Sequence, residues 1–419
     1  MSVLVIGGGG REHAICKALS KSDKTGKIYC IPGNAGIAEI AECIDSISVM
    51  DFEKIIDFVD DHEDITMTVV APDDPLAAGL VDKLTAKGHR AFGPSAKAAQ
   101  IEASKAFSKR LMKKYSIPTA AYAEFTDYAK AVDYVKRAKY PLVVKADGLA
   151  LGKGVVICAD VSEALDAVGD MMVSKKFNDA GNTIVIEEFL VGKEVSILCF
   201  TDGKTIIPMV SSQDHKRAFD NDQGLNTGGM GTFSPSAIYT DELAAKVKKD
   251  IILPTVEAMN KEGREFKGVL YFGLMITQDG PKVLEYNARF GDPETQVVLP
   301  RLKSDLYDIF QAIIDGRLAD VEVEWDDNAC VCVILASGGY PGSYKKGIPI
   351  HIDNLPEDIT LYHAGTALKG GKLVTSGGRV IGVTACGKDV AEARLKAYGA
   401  IDKISFDGMF FRRDIGIKA

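Results

Sequence analysis

Lys282-Val283-Leu284-Glu285-Tyr286-Asn287-Ala288-Arg289-Phe290-Gly291-Asp292-Pro293-Glu294 is the stretch around which the chain is organised. It follows a Gly280-Pro281 turn and opens with β-branched and aromatic residues, so it reads as a strand. Side chains alternate along a strand. Glu285, Asn287 and Arg289 are therefore expected on one face, and Leu284, Tyr286 and Ala288 on the other. A carboxylate, an amide and a guanidinium suit a magnesium-phosphate face, because Mg²⁺ takes one or two hard oxygen ligands plus phosphate oxygens. Arg289 stands where negative charge would be stabilised. A solvated face of an edge strand is the competing reading of the same spacing.

Composition narrows the choice. The chain has 419 residues, enough for several domains, with 46% hydrophobic and 26% charged residues. A net charge of -8 argues against non-specific nucleic-acid binding. The eight cysteines are scattered without a C-x-x-C pair, so a zinc or redox site is not supported and reduced thiols are expected. No signal peptide and no apolar run of membrane-span length is seen.

Working outward, Ser2-Val3-Leu4-Val5-Ile6 reads as a buried strand, followed by Gly7-Gly8-Gly9-Gly10-Arg11-Glu12-His13 and then a helix with Ala14, Ile15, Ala18 and Leu19 at helical spacing. Such a turn suits a phosphate. A dinucleotide fingerprint would need a glycine where Glu12 stands, and the next strand ends in Pro32-Gly33-Asn34-Ala35-Gly36 without a ribose-binding acid. The turn therefore serves a small phosphate such as a phosphosugar, or packing alone. Ala71-Pro72-Asp73-Asp74-Pro75 is expected as a polar loop after the strand Ile65 to Val70, with a helix from Leu76 to Lys87.

A basic helix from Ser104 to Tyr115 carries Lys105, and a strand ends at Lys145. Gly148 to Gly154 is glycine-rich with Lys153, yet lacks the spacing of a Walker A loop. Thr183 to Leu190 is a strand ending in Glu187-Glu188, with Glu194 beyond. Ser211 to Gly231 is a long polar loop of the kind that is usually functional. No hydrolase triad is present. From about residue 321 a smaller strand-and-turn region follows.

Together, Gly-rich-Arg-Glu-His-Ala, Pro-Gly-Asn-Ala-Gly, Lys-Ala-Asp-Gly-Leu-Ala, Glu-Glu-Phe-Leu, Ser-Gln-Asp-His-Lys-Arg, Asn-Thr-Gly-Gly-Met-Gly, Arg-Phe-Gly-Asp-Pro-Glu and His-Ala-Gly-Thr closely resemble the phosphoribosylamine–glycine ligase family of the ATP-grasp superfamily. The resemblance spans Val3 to about Lys418. It implies an α/β and α+β multidomain protein: a doubly wound parallel-sheet domain at 1–102, ATP-grasp domains at 103–320 with a lid-like part at 120–189, and a small α+β domain at 321–419. The implied reaction joins glycine to 5-phosphoribosylamine at the expense of ATP, through glycyl phosphate, in purine synthesis.

Carried over residue by residue, the resemblance implies ATP contacts at Lys105, Lys145, Gly148, Gly152, Lys153, Gly154, Glu187, Phe189, Leu190 and Glu194. Glu285 and Asn287 are the implied ligands of Mg²⁺ or Mn²⁺, and Arg289 the phosphoryl-stabilising group. Asp214, Asn226, Thr227, Gly228 and Gly229 would meet glycine and the amine, with Asp214 counted as catalytic. Gly9, Gly10, Arg11, Asn34 and Asp73 would meet the phosphoribosyl group. Phe290 to Glu294 is expected to turn the chain and brace Arg289. A cytoplasmic monomer with small-molecule partners only, and neither nucleic acid nor membrane, is expected.

Three positions depart from the family pattern. Gly273-Leu274-Met275 offers no second metal carboxylate, Asp73 stands where a longer acid is usual, and Leu151 where a small residue is usual. A carboxylase of aminoimidazole ribonucleotide, a nicotinamide oxidoreductase and a non-catalytic nucleotide binder are the competing readings.

Overall fold

The structure is a computed structural model that describes residues 1–149, 154–176 and 178–417. The expected ATP contacts Gly152 and Lys153, and Leu151, lie outside the described residues.

Five parallel strands open the chain, in the spatial order Glu42–Cys43, Lys27–Pro32, Ser2–Gly7, Ile65–Val70, Ala91–Phe92. Val3, Leu4, Val5 and Ile6 are fully buried, as a parallel strand covered on both faces requires. Strand order reverses about Ser2–Gly7, which creates a crevice at the carboxyl ends of the strands. The glycine turn, Asn34 and Asp73 all lie at those ends. The loop expected at Ala71 to Pro75 is half helix, since Asp73–Ala77 is helical. The helix expected from Leu76 to Lys87 breaks at Gly79, whose φ of +87° favours glycine, and resumes as Leu80–Ala86.

The central sheet is antiparallel, in the order Ile206–Pro208, Lys193–Asp202, Lys267–Thr277, Gly280–Asn287. Ile197 and Cys199 enter one apolar cluster, and Leu198 and Phe200 another, so both faces of the sheet are covered. A second antiparallel sheet, Tyr122–Phe125, Ile184–Glu188, Leu142–Ala146 and Val155–Cys158, has its own core. Helices Tyr128–Val135 and Val161–Met172 pack on it through Ala131, Val135, Ala164 and Val168.

The third large sheet corrects one expectation. Its strands are Gln213–Asp214, Gly231–Ser234, Ala329–Ala336, Arg379–Gly387 and Ile359–His363. Gln213–Asp214 comes from the stretch read as a polar loop, and Gly231–Ser234 starts at its last residue. That stretch is pinned at both ends, and its middle is a hairpin, Arg217–Phe219 with Gln223–Asn226. Arg412, almost fully buried, holds the hairpin through Asp222 (2.9 Å) and the Arg217 carbonyl (3.1 Å).

The first and last sheets meet at two histidines. His13 Nδ1 accepts from the His363 amide at 2.9 Å, and Asn34 Nδ2 donates to the His363 carbonyl at 2.8 Å. A Cβ at Gly36 would lie 2.4 Å from His363 Cγ and 2.7 Å from His13 Cε1, so glycine is required there. Burial, with His363 and Lys17 nearby, lowers His13 to about 3, and burial lowers His363 to about 4.

Both imidazoles are neutral when folded and titrate near 6.5 when unfolded. Their depressed values leave stability intact above pH ~6.5 and erode it as pH falls toward ~4, by up to about 1.4 kcal/mol per pH unit for each. Urea unfolding at pH 7.5 and 5.0 should show that loss, and His13→Asn, which keeps an acceptor, should reduce it. An unchanged pH slope in His13→Asn would contradict this account.

Candidate active site

Glu285 sits opposite Gly273 and Val283 opposite Leu274, so Leu284 is the extra residue of a β-bulge. The bulge corrects the expected faces. Val283, Tyr286 and Ala288 enter the main core, whereas Leu284 packs beside Ala120, Leu190 and Met275. It also turns the Leu284 carbonyl to Lys145, which donates to it at 3.2 Å. A Cβ at Gly273 would lie 3.0 Å from Glu285 Cγ, so the missing second carboxylate leaves room for the first.

Glu285 Oε1 lies 2.9 Å from Lys216 Nζ. Lys216, helped by Lys145 and Lys105, outweighs burial and holds the Glu285 carboxyl down at about 2. The Asn287 amide satisfies both its ends when Nδ2 donates to Glu102 Oε1 at 3.0 Å and to the Tyr286 carbonyl at 3.1 Å. Its oxygen then faces away from that carboxylate. An ionised carboxylate and an outward amide oxygen are hard donors that fit Mg²⁺ or Mn²⁺.

Arg289 follows just past the strand. Its Nη2 lies 2.8 Å from Glu102 Oε1 and 3.8 Å from Asp73 Oδ2, and Nη1 donates to the Phe290 carbonyl at 3.3 Å. Its Nε is buried with no partner among the described residues. A buried donor left unanswered beside two oxygen ligands is suited to an incoming anion. Arg11 Nη1 also donates to the Phe290 carbonyl, at 3.3 Å, so the turn after the strand braces both arginines.

The residues expected to meet the nucleotide flank this centre. Lys105 Nζ donates to the Gly148 carbonyl at 2.8 Å, and burial lowers its pKa. Asp147 accepts from Ser104 Oγ and the Ala106 amide, both at 3.1 Å, which ties the glycine-rich segment to the helix Lys105–Lys114. Gly154 precedes the strand Val155–Cys158. Glu187 is buried between Lys109 and Lys145, 2.9 Å from each ammonium. Burial lowers Lys109 to about 8 even with Glu187 beside it. Leu190 belongs to the small apolar group with Leu284, Phe189 is 37% exposed, and Glu194 lies 3.7 Å from Lys216.

A second group of charges faces Arg289. Asp214, in the strand next to Gly231–Ser234, accepts from the His215 amide at 2.7 Å. Burial and the nearby Glu294 push its carboxyl well up, against Lys216. Glu294 Oε1 accepts from Ser196 Oγ at 3.1 Å and Tyr271 at 3.0 Å. Gly229 has φ +112°, and a Cβ there would lie 2.7 Å from Asp214 Oδ1, so only glycine brings this turn against the carboxylate. Thr227 Oγ1 donates to the Lys216 carbonyl at 2.9 Å, and Asn226 pairs with Arg217. Arg379 donates to the carbonyls of Gly228 (2.7 Å) and Asp292 (2.8 Å) and lies 3.2 Å from Asp292 Oδ2. Tyr340 accepts from the Gly228 amide at 3.0 Å.

At the N-terminal turn, Gly9 N donates to Glu12 Oε2 at 2.6 Å, and Arg11 Nε lies 2.6 Å from Glu12 Oε1. The chain's own carboxylate thus answers the amide that a phosphate would use. A Cβ at Gly10 would lie 2.6 Å from Gln296 Nε2, a packing reason for that glycine. Asn34 is spent on its own loop, accepting from Gly36 N (2.9 Å) and Ile37 N (3.0 Å) while donating to the Gly8 and His363 carbonyls.

Lys109, Lys216, Glu102, Arg379 and Tyr340 had no role in the sequence reading, and Glu294 only that of a turn residue. Lys216 stood two residues from Asp214 inside a quoted block, a signal that was there to use. Lys109 looked like one more lysine of a basic helix.

Three family profiles cover most of the chain: phosphoribosylglycinamide synthetase N domain at residues 1–102, its ATP-grasp (A) domain at 103–295, and its C domain at 330–418. A phosphoribosylamine–glycine ligase of Caldanaerobacter subterraneus is 49% identical over 99% of this chain and 99% of its own length. The Halalkalibacterium halodurans protein of the same name is 48% identical over 100% of this chain and 97% of its own. The chain belongs to the phosphoribosylglycinamide synthetase family. The crystal structure of phosphoribosylamine–glycine ligase from Thermotoga maritima matches with a TM-score of 0.86 at 33% identity, covering 99% of this chain and 100% of that one. A biotin carboxylase domain from Hydrogenobacter thermophilus, at 16% identity, has a TM-score of 0.76 over 98% of this chain and 91% of that one, and shares the fold alone. As a phosphoribosylglycinamide synthetase the chain uses ATP, and no helix among its described residues is long and apolar enough to cross a membrane.

The buried cluster of Lys109, Glu187 and Lys145 gives a stability test. Lys109→Met leaves Glu187 with one cation, and breaking a buried pair costs about 3 kcal/mol. Urea unfolding should show that loss; a change below about 0.5 kcal/mol, the usual range for surface substitutions, would contradict the pairing.

Proposed function

We propose that the chain ligates glycine to 5-phosphoribosylamine, converting ATP to ADP and phosphate and giving glycinamide ribonucleotide, the second step of de novo purine synthesis. The observation that carries this reading is Arg289, whose Nε, without a partner among the described residues, lies just past Glu285 and Asn287 on the same segment. Family membership of the whole chain supports the choice of substrates.

In this mechanism the glycine carboxylate attacks the γ-phosphorus of ATP, ADP leaves, and glycyl phosphate forms. The amine of phosphoribosylamine then attacks the activated carbonyl carbon. The C–O bond breaks, phosphate leaves, and the nitrogen loses a proton. The protein positions these groups and neutralises charge, so no enzyme nucleophile is needed.

Lys105, which donates to the Gly148 carbonyl, and Lys145 bind the nucleotide phosphates. The Glu187 carboxylate steadies Lys109 and Lys145, and the adenine edge is read by the backbone near Phe189 and Leu190 over the Leu284 side chain. Glu194 takes the ribose hydroxyls. Arg289 binds the transferring phosphoryl group through Nε. Asp214, whose carboxyl lies near that of Glu294, takes the glycine ammonium, and the Asn226 to Gly229 turn orients the amine. Gly9, Gly10, Arg11, Asn34 and Asp73 line the phosphoribosyl side, with Asn34 shaping the loop. Glu285 and Asn287 would hold Mg²⁺ or Mn²⁺, which supplies charge neutralisation on the ATP phosphates. The working unit is a cytoplasmic monomer, divided at residues 1–102, 103–320 and 321–419 with a lid at 120–189.

ADP release should require both glycine and phosphoribosylamine. Release with bicarbonate and not with glycine would assign a carboxylase instead. Arg289→Ala should lower kcat by about 10³-fold, as loss of a transition-state charge partner does, with little change in ATP affinity. Unchanged turnover would remove Arg289 from the chemistry.

A further inference from the structure

The helix Ala96–Ala103 is rich in alanine and has one acid, Glu102, which is 9% exposed. Burying a lone carboxylate is costly, so its partners deserve a count. Oε2 accepts from the Ala288 amide at 2.7 Å. Oε1 lies 2.8 Å from Arg289 Nη2 and 3.0 Å from Asn287 Nδ2. One side chain therefore holds three successive residues, 287 to 289, where the strand Gly280–Asn287 leaves its ladder.

The contacts are selective. Glu102 takes the nitrogen of the Asn287 amide, which fixes the oxygen on the opposite side. It takes Nη2 of Arg289 and leaves Nε without a partner among the described residues. Asp73 lies 3.8 Å from the same Nη2, so Arg289 has a second acid to turn to if Glu102 is lost.

We propose that Glu102 is the positioning residue of the transfer centre: it sets the Asn287 oxygen toward the metal side and the Arg289 Nε toward the phosphoryl group. It touches neither substrate nor metal. The inference rests on the reading of Asn287 and Arg289 given above. A carboxylate is needed because its two oxygens meet donors only: an amide nitrogen, a guanidinium and a backbone N–H. A glutamine has one oxygen for these three donors, and its own NH₂ would face a donor.

The test reads Mn²⁺ binding by electron paramagnetic resonance, with a non-hydrolysable ATP analogue and without glycine or phosphoribosylamine. Glu102→Gln should weaken Mn²⁺ about 10- to 100-fold, the usual effect of removing a partner that orients a metal ligand. Affinity for the analogue without metal should stay within about twofold, since Lys105 and Lys145 are untouched, and kcat should fall with little change in the KM for ATP. Glu102→Asp keeps the charge one methylene short, so its Mn²⁺ affinity should fall between those of Gln and wild type; it also serves if the Gln variant does not fold. Wild-type Mn²⁺ affinity in either folded variant would overturn the proposal. So would a metal-free loss of nucleotide affinity equal to the loss of Mn²⁺, which would mark a general structural role. Because no acceptor substrate is present, a failed ligase assay beside weakened Mn²⁺ binding would sink the proposed reaction and leave this inference standing.

Discussion

A buried guanidinium must be paired, and Arg289 is paired across the chain. Its acids, Glu102 and Asp73, both come from the first 103 residues, while Arg289 itself extends the central sheet. Removing Arg289 would leave the buried Glu102 carboxyl without its cation, at a cost of about 3–5 kcal/mol, whereas losing Glu102 leaves Asp73 beside the guanidinium. The N-terminal region and the central sheet are thus tied together at the point where the proposed phosphoryl transfer needs precision. Nε, without a partner among the described residues, is the atom that the proposed reaction offers to an anion.

The C-terminal sheet serves the same centre from the other side. Arg379 and Tyr340 grip Gly228, and the turn they hold lies against Asp214. Asp214 is itself in a strand of that sheet, paired with Thr232. The groups from residues 211–231 that are proposed to meet substrate are therefore mounted on a sheet, and Arg412 clamps their hairpin. A site built from strand residues keeps its geometry better than one on a free loop. The tight approach at Gly229 matters for the same reason: any side chain there would push the turn off Asp214.

Much of this was legible in the sequence because it is local. The apolar run Val3 to Ile6 announces a strand covered on both faces, and the alternation around Glu285 places two oxygen donors together. Family membership was readable from the ordered motifs. The Leu284 bulge was not, because an extra residue in a ladder is set by the partner strand and leaves no period of its own. Nor was the recruitment of Gln213–Asp214 and Gly231–Ser234 into a sheet with Ala329–Ala336, since that pairing spans about a hundred residues of intervening chain. Lys109 shows the same limit on a helix. Its position predicts solvent, yet Glu187 from a distant strand draws it to 2% exposure. Glu12 is the subtler case: it was read as the residue that breaks a nucleotide fingerprint, and it is also the acceptor that closes the turn.

The central claim is that ATP activates the carboxylate of glycine at the Arg289 centre before the amine attacks. Oxygen transfer tests it most directly. With glycine carrying ¹⁸O in both carboxylate positions, turnover in the presence of ATP and phosphoribosylamine should place one ¹⁸O in each released phosphate and leave the other in the amide product. Phosphate free of glycine-derived ¹⁸O, with product still forming, would contradict it.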